Sequence, residues 1–173
     1  MSKFRYGLAS LKVSDIDPAT GLALAGSDKE LKEDVYRDSF DFIEEEGTDT
    51  DHFSESDVDP KISFNERGKL KLTLQIMDTS VDTLALLMGG AVVDVVGVKT
   101  WSRPAMNIQK EKYVEIETAD GYKMVVARGS LSARYNNQVR RNGIALINVT
   151  ITPLTPQIGG LATLDIIEPA PPA

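Results

Sequence analysis

The sequence predicts a mainly β protein, an antiparallel β-sandwich or barrel with one short flanking α-helix. Residues 69–76 alternate strictly, with Leu70, Leu72, Leu74 and Ile76 on one face and Lys69, Lys71, Thr73 and Gln75 on the other. That is the period of a strand with one face in a core. Two pairs of β-rich runs flank short turn signals, Ala119-Asp120-Gly121 and Asn142-Gly143, as in an antiparallel meander. Helical spacing stands out at one place, where Val81, Leu84, Ala85 and Met88 fall at i, i+3, i+4 and i+7.

Taken in order, residues 7–13 read as a weakly alternating first strand that runs into the turn cluster Asp17-Pro18-Ala19-Thr20-Gly21. Residues 29–36 are charged and ambiguous, and residues 38–45, with Phe40, Phe42 and Ile43, read as a strand entering an acidic region. After the strand at 69–76, Thr79 is placed to cap the helix with Asp82 three residues on, and Gly89-Gly90 supplies its stop. Residues 91–98 are apolar on both faces except at Asp94, which predicts a central strand covered on both sides. Residues 113–118 and 122–127 form one expected hairpin, and 130–136 with 144–152 a second. Beyond Pro153 the prolines and glycines predict an extended or mobile tail.

A length of 173 residues fits one domain, expected over residues 1–155 with an insert loop at 47–65 and an extended tail at 156–173. Apolar residues make up 42% and aromatics 6%, so the core is expected to be aliphatic. No apolar run is long enough to cross a bilayer, since residues 84–98 are broken by Gly89, Gly90 and Asp94. The first residues show no signal-peptide pattern, so synthesis in a cytoplasm is expected. The absence of cysteine excludes a disulfide framework and a thiolate nucleophile. A formal charge of −7 opposes attraction to a phosphate backbone.

The densest group of chemistry-bearing residues is acidic. Eight carboxylates lie between Glu44 and Pro60, with no Lys or Arg among them. A calcium loop of the EF-hand kind fails, because Phe53 and Ser54 stand where the third ligand and the glycine belong. A solvated acidic loop, disordered in a free subunit, is the better reading. His52, the one histidine, has neither a cysteine nor a Gly-x-Ser-x-Gly elbow to work with. It reads as a surface residue, and no catalytic, cofactor or metal residues are assigned. Arg134, Arg140 and Arg141 cluster near Asn142-Gly143, while Lys99, Arg103 and Lys110 lie on another stretch. They read either as ordinary surface charges or as a surface that meets the acidic run of a neighbouring subunit. Trp101 follows an apolar run and is expected to plug a core or an interface, at a subunit edge.

The order of these pieces resembles the phage tail tube protein superfamily, which also includes the type VI secretion tube. The residues that carry the resemblance are the alternating strand from Lys69, the Met77-Asp78-Thr79-Ser80 junction, the helix ending at Gly89-Gly90, and a closing strand from Gly143 to Leu154. The resemblance implies a structural protein that is no enzyme and uses no cofactor. It implies a virion tail location and subunits assembled into hexameric rings that stack around a channel for DNA in transit. The partners implied are other copies of the chain, with the tape measure, terminator and baseplate proteins of a tail, and no membrane. Rings of that kind stack through a long loop, here the insert, with Asp49, Asp51, Phe53, Asp57 and Asp59 as candidate inter-ring residues. Trp101, Arg134, Arg140 and Arg141 are candidates for contacts between subunits. The alternative reading is a monomeric β-sandwich binding module, an adhesin or carbohydrate-binding domain, and a related tube or ring protein of an injection system would share the pattern.

Overall fold

Strict alternation of side chains between an apolar and a polar face organises the whole chain. The computed structural model describes residues 6–106, 108–136 and 143–169. Its strands are β1 (Leu8–Ser14), β2 (Lys29–Glu30), β3 (Asp41–Glu44), β4 (Thr48–His52), β5 (Ile62–Glu66), β6 (Leu70–Ile76), β7 (Ala91–Val95), β8 (Val98–Ser102), β9 (Lys110–Thr118), β10 (Lys123–Asn136), β11 (Leu146–Pro153) and β12 (Asp165–Ile167), with helix α1 (Val81–Met88) between β6 and β7. The main antiparallel sheet has the order β2-β1-β9-β10-β11-β6-β3, and β12 pairs with the first residues of β10.

This sheet curls until its two sides meet. The segment after β2 crosses from β1 to β6: the Leu31 N–H donates to the Leu11 carbonyl at 2.8 Å, the Tyr36 N–H to Gln75 at 2.8 Å and the Met77 N–H to Asp34 at 2.7 Å. Leu31, 1% exposed, lies beneath that crossing. Inward-facing residues of the long strands fill the interior, among them Leu11, Leu72, Ile76, Val114, Ile116, Val126, Ile147 and Ile151, all at or below 1% exposure. The expected core face of 70–76 is therefore correct, with Leu72, Leu74 and Ile76 buried and Leu70 half-buried at the rim.

Five local expectations are corrected. Residues 122–127 and 130–136 belong to one strand, β10, which passes through a bulge where its register to β9 shifts between Val126 and Gly129. The extra residue keeps both halves on the same sheet while letting it bend. Residues 91–98 do not form a central strand. They turn back at Val96-Gly97, with φ of 52° and 82°, the paired positive values of a two-residue hairpin turn. The resulting β7–β8 hairpin stands outside the main sheet. Helix α1 is capped by Ser80, whose Oγ accepts from the Thr83 N–H at 3.3 Å, and not by Thr79. Asp78 explains the shift, because it accepts from both the N–H and the Oγ of Ser80 and holds that residue at the helix entrance. The insert is not a loop throughout, since β4 and β5 pair within it. Part of the expected tail also returns to the sheet as β12.

Two neighbouring substitutions on β6 test the alternation. Leu72→Ala removes a fully buried side chain and should cost about 2–5 kcal/mol, whereas Lys71→Ala on the opposite face loses a surface pair with Glu45 worth about 1 kcal/mol or less. Thermal melting of the two variants measures the difference, and equal losses would contradict this assignment of faces.

Candidate assembly surfaces

The acidic insert is a β-ribbon that continues the edge of the main sheet. Pairing runs from Asp41 opposite Thr73 to Glu44 opposite Leu70, then from Thr48 opposite Glu66 to His52 opposite Ile62, without any change of register. The four strands β3 to β6 thus make a single long hairpin, interrupted only where Gly47 and Gly68 stand. There the backbones approach so closely that a Cβ on Gly68 would lie 1.6 Å from the Glu45 carbonyl oxygen, and one on Gly47 2.5 Å from that of Glu66. Beyond this waist every residue of β4 and β5 is exposed.

Alternation gives the ribbon two unlike faces. Thr48, Thr50 and His52 stand opposite Glu66, Phe64 and Ile62, while Asp49 and Asp51 stand opposite Asn65 and Ser63. His52 meets the edge of Phe64 with ring centroids 5.8 Å apart, and Phe64 and Ile62 are 57% and 54% exposed. The turn is tied internally. Ser54 Oγ donates to Asp57, Lys61 pairs with Asp57 at 2.9 Å, and the Lys61 N–H donates to the His52 carbonyl at 2.8 Å. The hydrogen bond from Ser54, then that from Lys61, holds the Asp57 carboxyl below its ordinary value.

A second exposed surface is the β7–β8 hairpin. One face carries Val92, Asp94, Lys99 and Trp101 toward α1, where Lys99 pairs with Asp82 at 2.7 Å and Trp101 Nε1 donates to the Gly89 carbonyl at 2.7 Å. The other face carries Val93, Val95 and Val98, which are 52%, 61% and 66% exposed. Helix α1 is held at both ends by polar contacts. Lys29 Nζ donates to Thr83 Oγ1 at 2.9 Å, and Thr83 Oγ1 in turn donates to Asp78. At the other end Lys110 Nζ donates to the carbonyls of Ala85 and Leu86, a cation where the helix dipole favours one. Burial, followed by the nearby charge of Lys112, keeps the Lys110 pKa below its usual value.

The family model described as phage tail tube protein matches residues 36–166, from the crossing segment to β12. The chain belongs to the phage tail tube protein family. A comparison with curated proteins found no significant match. The family is a structural one of virion tails, and no helix among the described residues is long and apolar enough to cross a membrane.

In this tail tube protein the five inter-ring candidates gather on the ribbon. Asp49 and Asp51 share its polar face, Asp49 accepting from Asn65 Nδ2. Phe53, Asp57 and Asp59 lie in the turn, with Phe53 58% exposed. Trp101 is half-buried against its own helix, and Arg134 is exposed near the end of β10. Arg140 and Arg141 lie outside the described residues. Sequence reasoning passed over Ile62 and Phe64, although Ile62-Ser63-Phe64-Asn65-Glu66 alternates visibly, and it passed over the exposed valines because Val96-Gly97 was not read as a turn.

Val96 is a β-branched residue at φ 52° and 99% exposed, a conformation that costs roughly 1–2 kcal/mol. Val96→Asn, which tolerates positive φ, should therefore raise the melting temperature of the isolated subunit, and a lower one would show that Val96 is not strained. A pH series tests the helix anchor. Burial pushes the Asp78 carboxyl up, but hydrogen bonds from Thr83 and Ser80, with Lys29 nearby, outweigh it and leave the pKa below 3.8. The unfolded chain then binds the proton more readily, so this stability is present above about pH 4 and fades as pH falls through the folded value. Asp78→Asn should melt lower at neutral pH by about 1 kcal/mol and lose less between about pH 5 and pH 2 than the parent.

Proposed function

We propose that this tail tube protein forms hexameric rings, stacked into a tube whose channel carries DNA, with the tape measure, terminator and baseplate proteins as further partners in the tail. The observation that carries this reading is the ribbon at 48–66, which projects from a closed sheet with every strand residue exposed. A two-stranded ribbon of this kind gains little stability by itself, and its apolar face gains most by being covered. Rings stack through it, with Asp49, Asp51, Phe53, Asp57 and Asp59 at the contact. The hairpin anchored by Trp101, together with Arg134, Arg140 and Arg141, faces neighbouring subunits.

The channel wall is neutral to acidic. On the outward face shared by β10, β11 and β6, Ser132, Thr150 and Thr73 lie in one cross-strand row, and Asn148 and Gln75, joined by a hydrogen bond of 3.1 Å, share the next with Arg134, so hydroxyls and amides outnumber the one cation of these rows. Hydroxyls and amides hold phosphate far less strongly than a lysine-rich wall, which would bind it by releasing counterions.

Negative-stain microscopy with size-exclusion chromatography provides the test. The unaltered chain should give rings and tubes, and a variant with Asn-Gly in place of residues 48–66 should stay folded and give no tubes. Tubes of ordinary length from the shortened variant, or a compact monomer from the unaltered chain at every concentration, would overturn the reading.

A further inference from the structure

The receptor for the ribbon can be sought among the surfaces that are apolar, concave and positively charged in an otherwise acidic chain. One cleft is concave and positively charged and, though its lining is mainly polar, has exposed apolar side chains at its side. It opens where β10 runs on past the start of β9, has a volume of about 480 Å³, and is lined by Met88, Met106 and Ile108 with Arg103 and Arg134 beside them. Met106 and Ile108 are 81% and 50% exposed, so apolar surface is left open to water. Arg67 and Arg128 pair with Glu44 and Glu111. Arg103 and Arg134, by contrast, have no ion pair or hydrogen bond among the described residues. Two such guanidinium groups beside the exposed Met106 and Ile108 ask for carboxylates flanking an apolar side chain.

The turn of the ribbon offers that arrangement. Val58 is 94% exposed, and Glu55 and Asp59 on either side of it have no cationic partner among the described residues. The two features also point in opposite directions. The ribbon leaves β6 from its Leu70 end, whereas Arg134 lies level with Asn148 and Gln75, close to the Ile76 end of the same strand. A ribbon at one end and its receptor at the other form a head-to-tail contact, which repeats without closing.

Resting on the tube reading above, we infer that the ribbon turn of one subunit docks in the Arg103–Arg134 cleft of a second copy in the next ring, with Val58 against Met106 and Ile108 and with Glu55 and Asp59 on the two arginines. The contact is heterologous, and its partner is another copy of this chain.

Charge reversal tests it. Arg103→Glu with Arg134→Glu, and separately Glu55→Arg with Asp59→Arg, should each raise the concentration at which light scattering reports tube growth by roughly tenfold or more. The chain carrying all four reversals should recover growth, which misfolding would not allow, and melting curves check that every variant is folded. An equimolar mixture of the two double variants should also grow, each cleft then facing a ribbon of opposite sign. Tubes that grow from either double variant as from the parent, or four reversals that fail to recover growth, would overturn the docking while leaving the tube reading intact. A parent chain that never assembles would instead remove both.

Discussion

Closure of the main sheet on itself is the constraint from which the other features follow. Each long strand gives one face to the interior, and the crossing segment around Leu31 seals β1 to β6 with main-chain hydrogen bonds. Buried leucine, isoleucine and valine side chains contribute about 1.5–3 kcal/mol apiece, so the interior accounts for the fold without help from disulfides, of which a chain lacking cysteine has none. Once the interior is full, anything added to the chain must stand outside it. The ribbon and the β7–β8 hairpin are such additions, and their apolar faces remain open because their own subunit has no room left for them.

Rigid attachment is what separates these projections from ordinary surface loops. The ribbon shares its register with β3 and β6, so it inherits the direction of the sheet edge, and the glycine waist allows a bend only where the backbones are in contact. The hairpin is fixed differently, by Trp101 against the Gly89 carbonyl and by Lys99 on Asp82 of the helix. The helix itself depends on Lys29, Asp78 and Lys110 for its position. A chain of polar contacts therefore runs from the core strands to the outermost valines, and a fault at Asp78 or Lys110 should be felt at the assembly surface.

The core was legible in the sequence wherever alternation was strict, as at Leu70 to Ile76 and through the Ala119-Asp120-Gly121 turn. It was less legible where a second signal lay over the first. In residues 91–98 the apolar run concealed a hairpin, because valine is a poor residue for the positive φ that Val96 adopts. In the insert, the carboxylates suggested a solvated loop and hid the pairing of Thr48–His52 with Ile62–Glu66, since strand propensity there comes from threonine and from the partner strand. Ser80 displaced Thr79 as the cap because Asp78, one residue before the apparent box, captured it. The candidate residues on the ribbon were chosen mainly for their charge, and the cleft lined by Arg103 and Arg134 escaped notice because it is made by residues about thirty positions apart that only the sheet brings together.

The proposed assembly requires subunits that stay apart alone and adhere in company, and the distribution of charge reconciles the two. Two-stranded ribbons with open edges invite indiscriminate pairing. Here Asp49 and Asp51 occupy one face of the ribbon and free carboxylates flank Val58, so two ribbons repel one another, and the net charge of −7 extends that repulsion to the whole subunit. In the proposed contact the repulsion is relieved where a positive surface lies beside exposed apolar side chains. A partner lacking that pair of features meets unpaired carboxylates that lose water for nothing, and the cost of desolvating them without a counterion is larger than what one valine can return. In the proposed contact, specificity arises from the same acidic residues that keep free subunits apart, and the apolar tip contributes affinity only after the charges have matched.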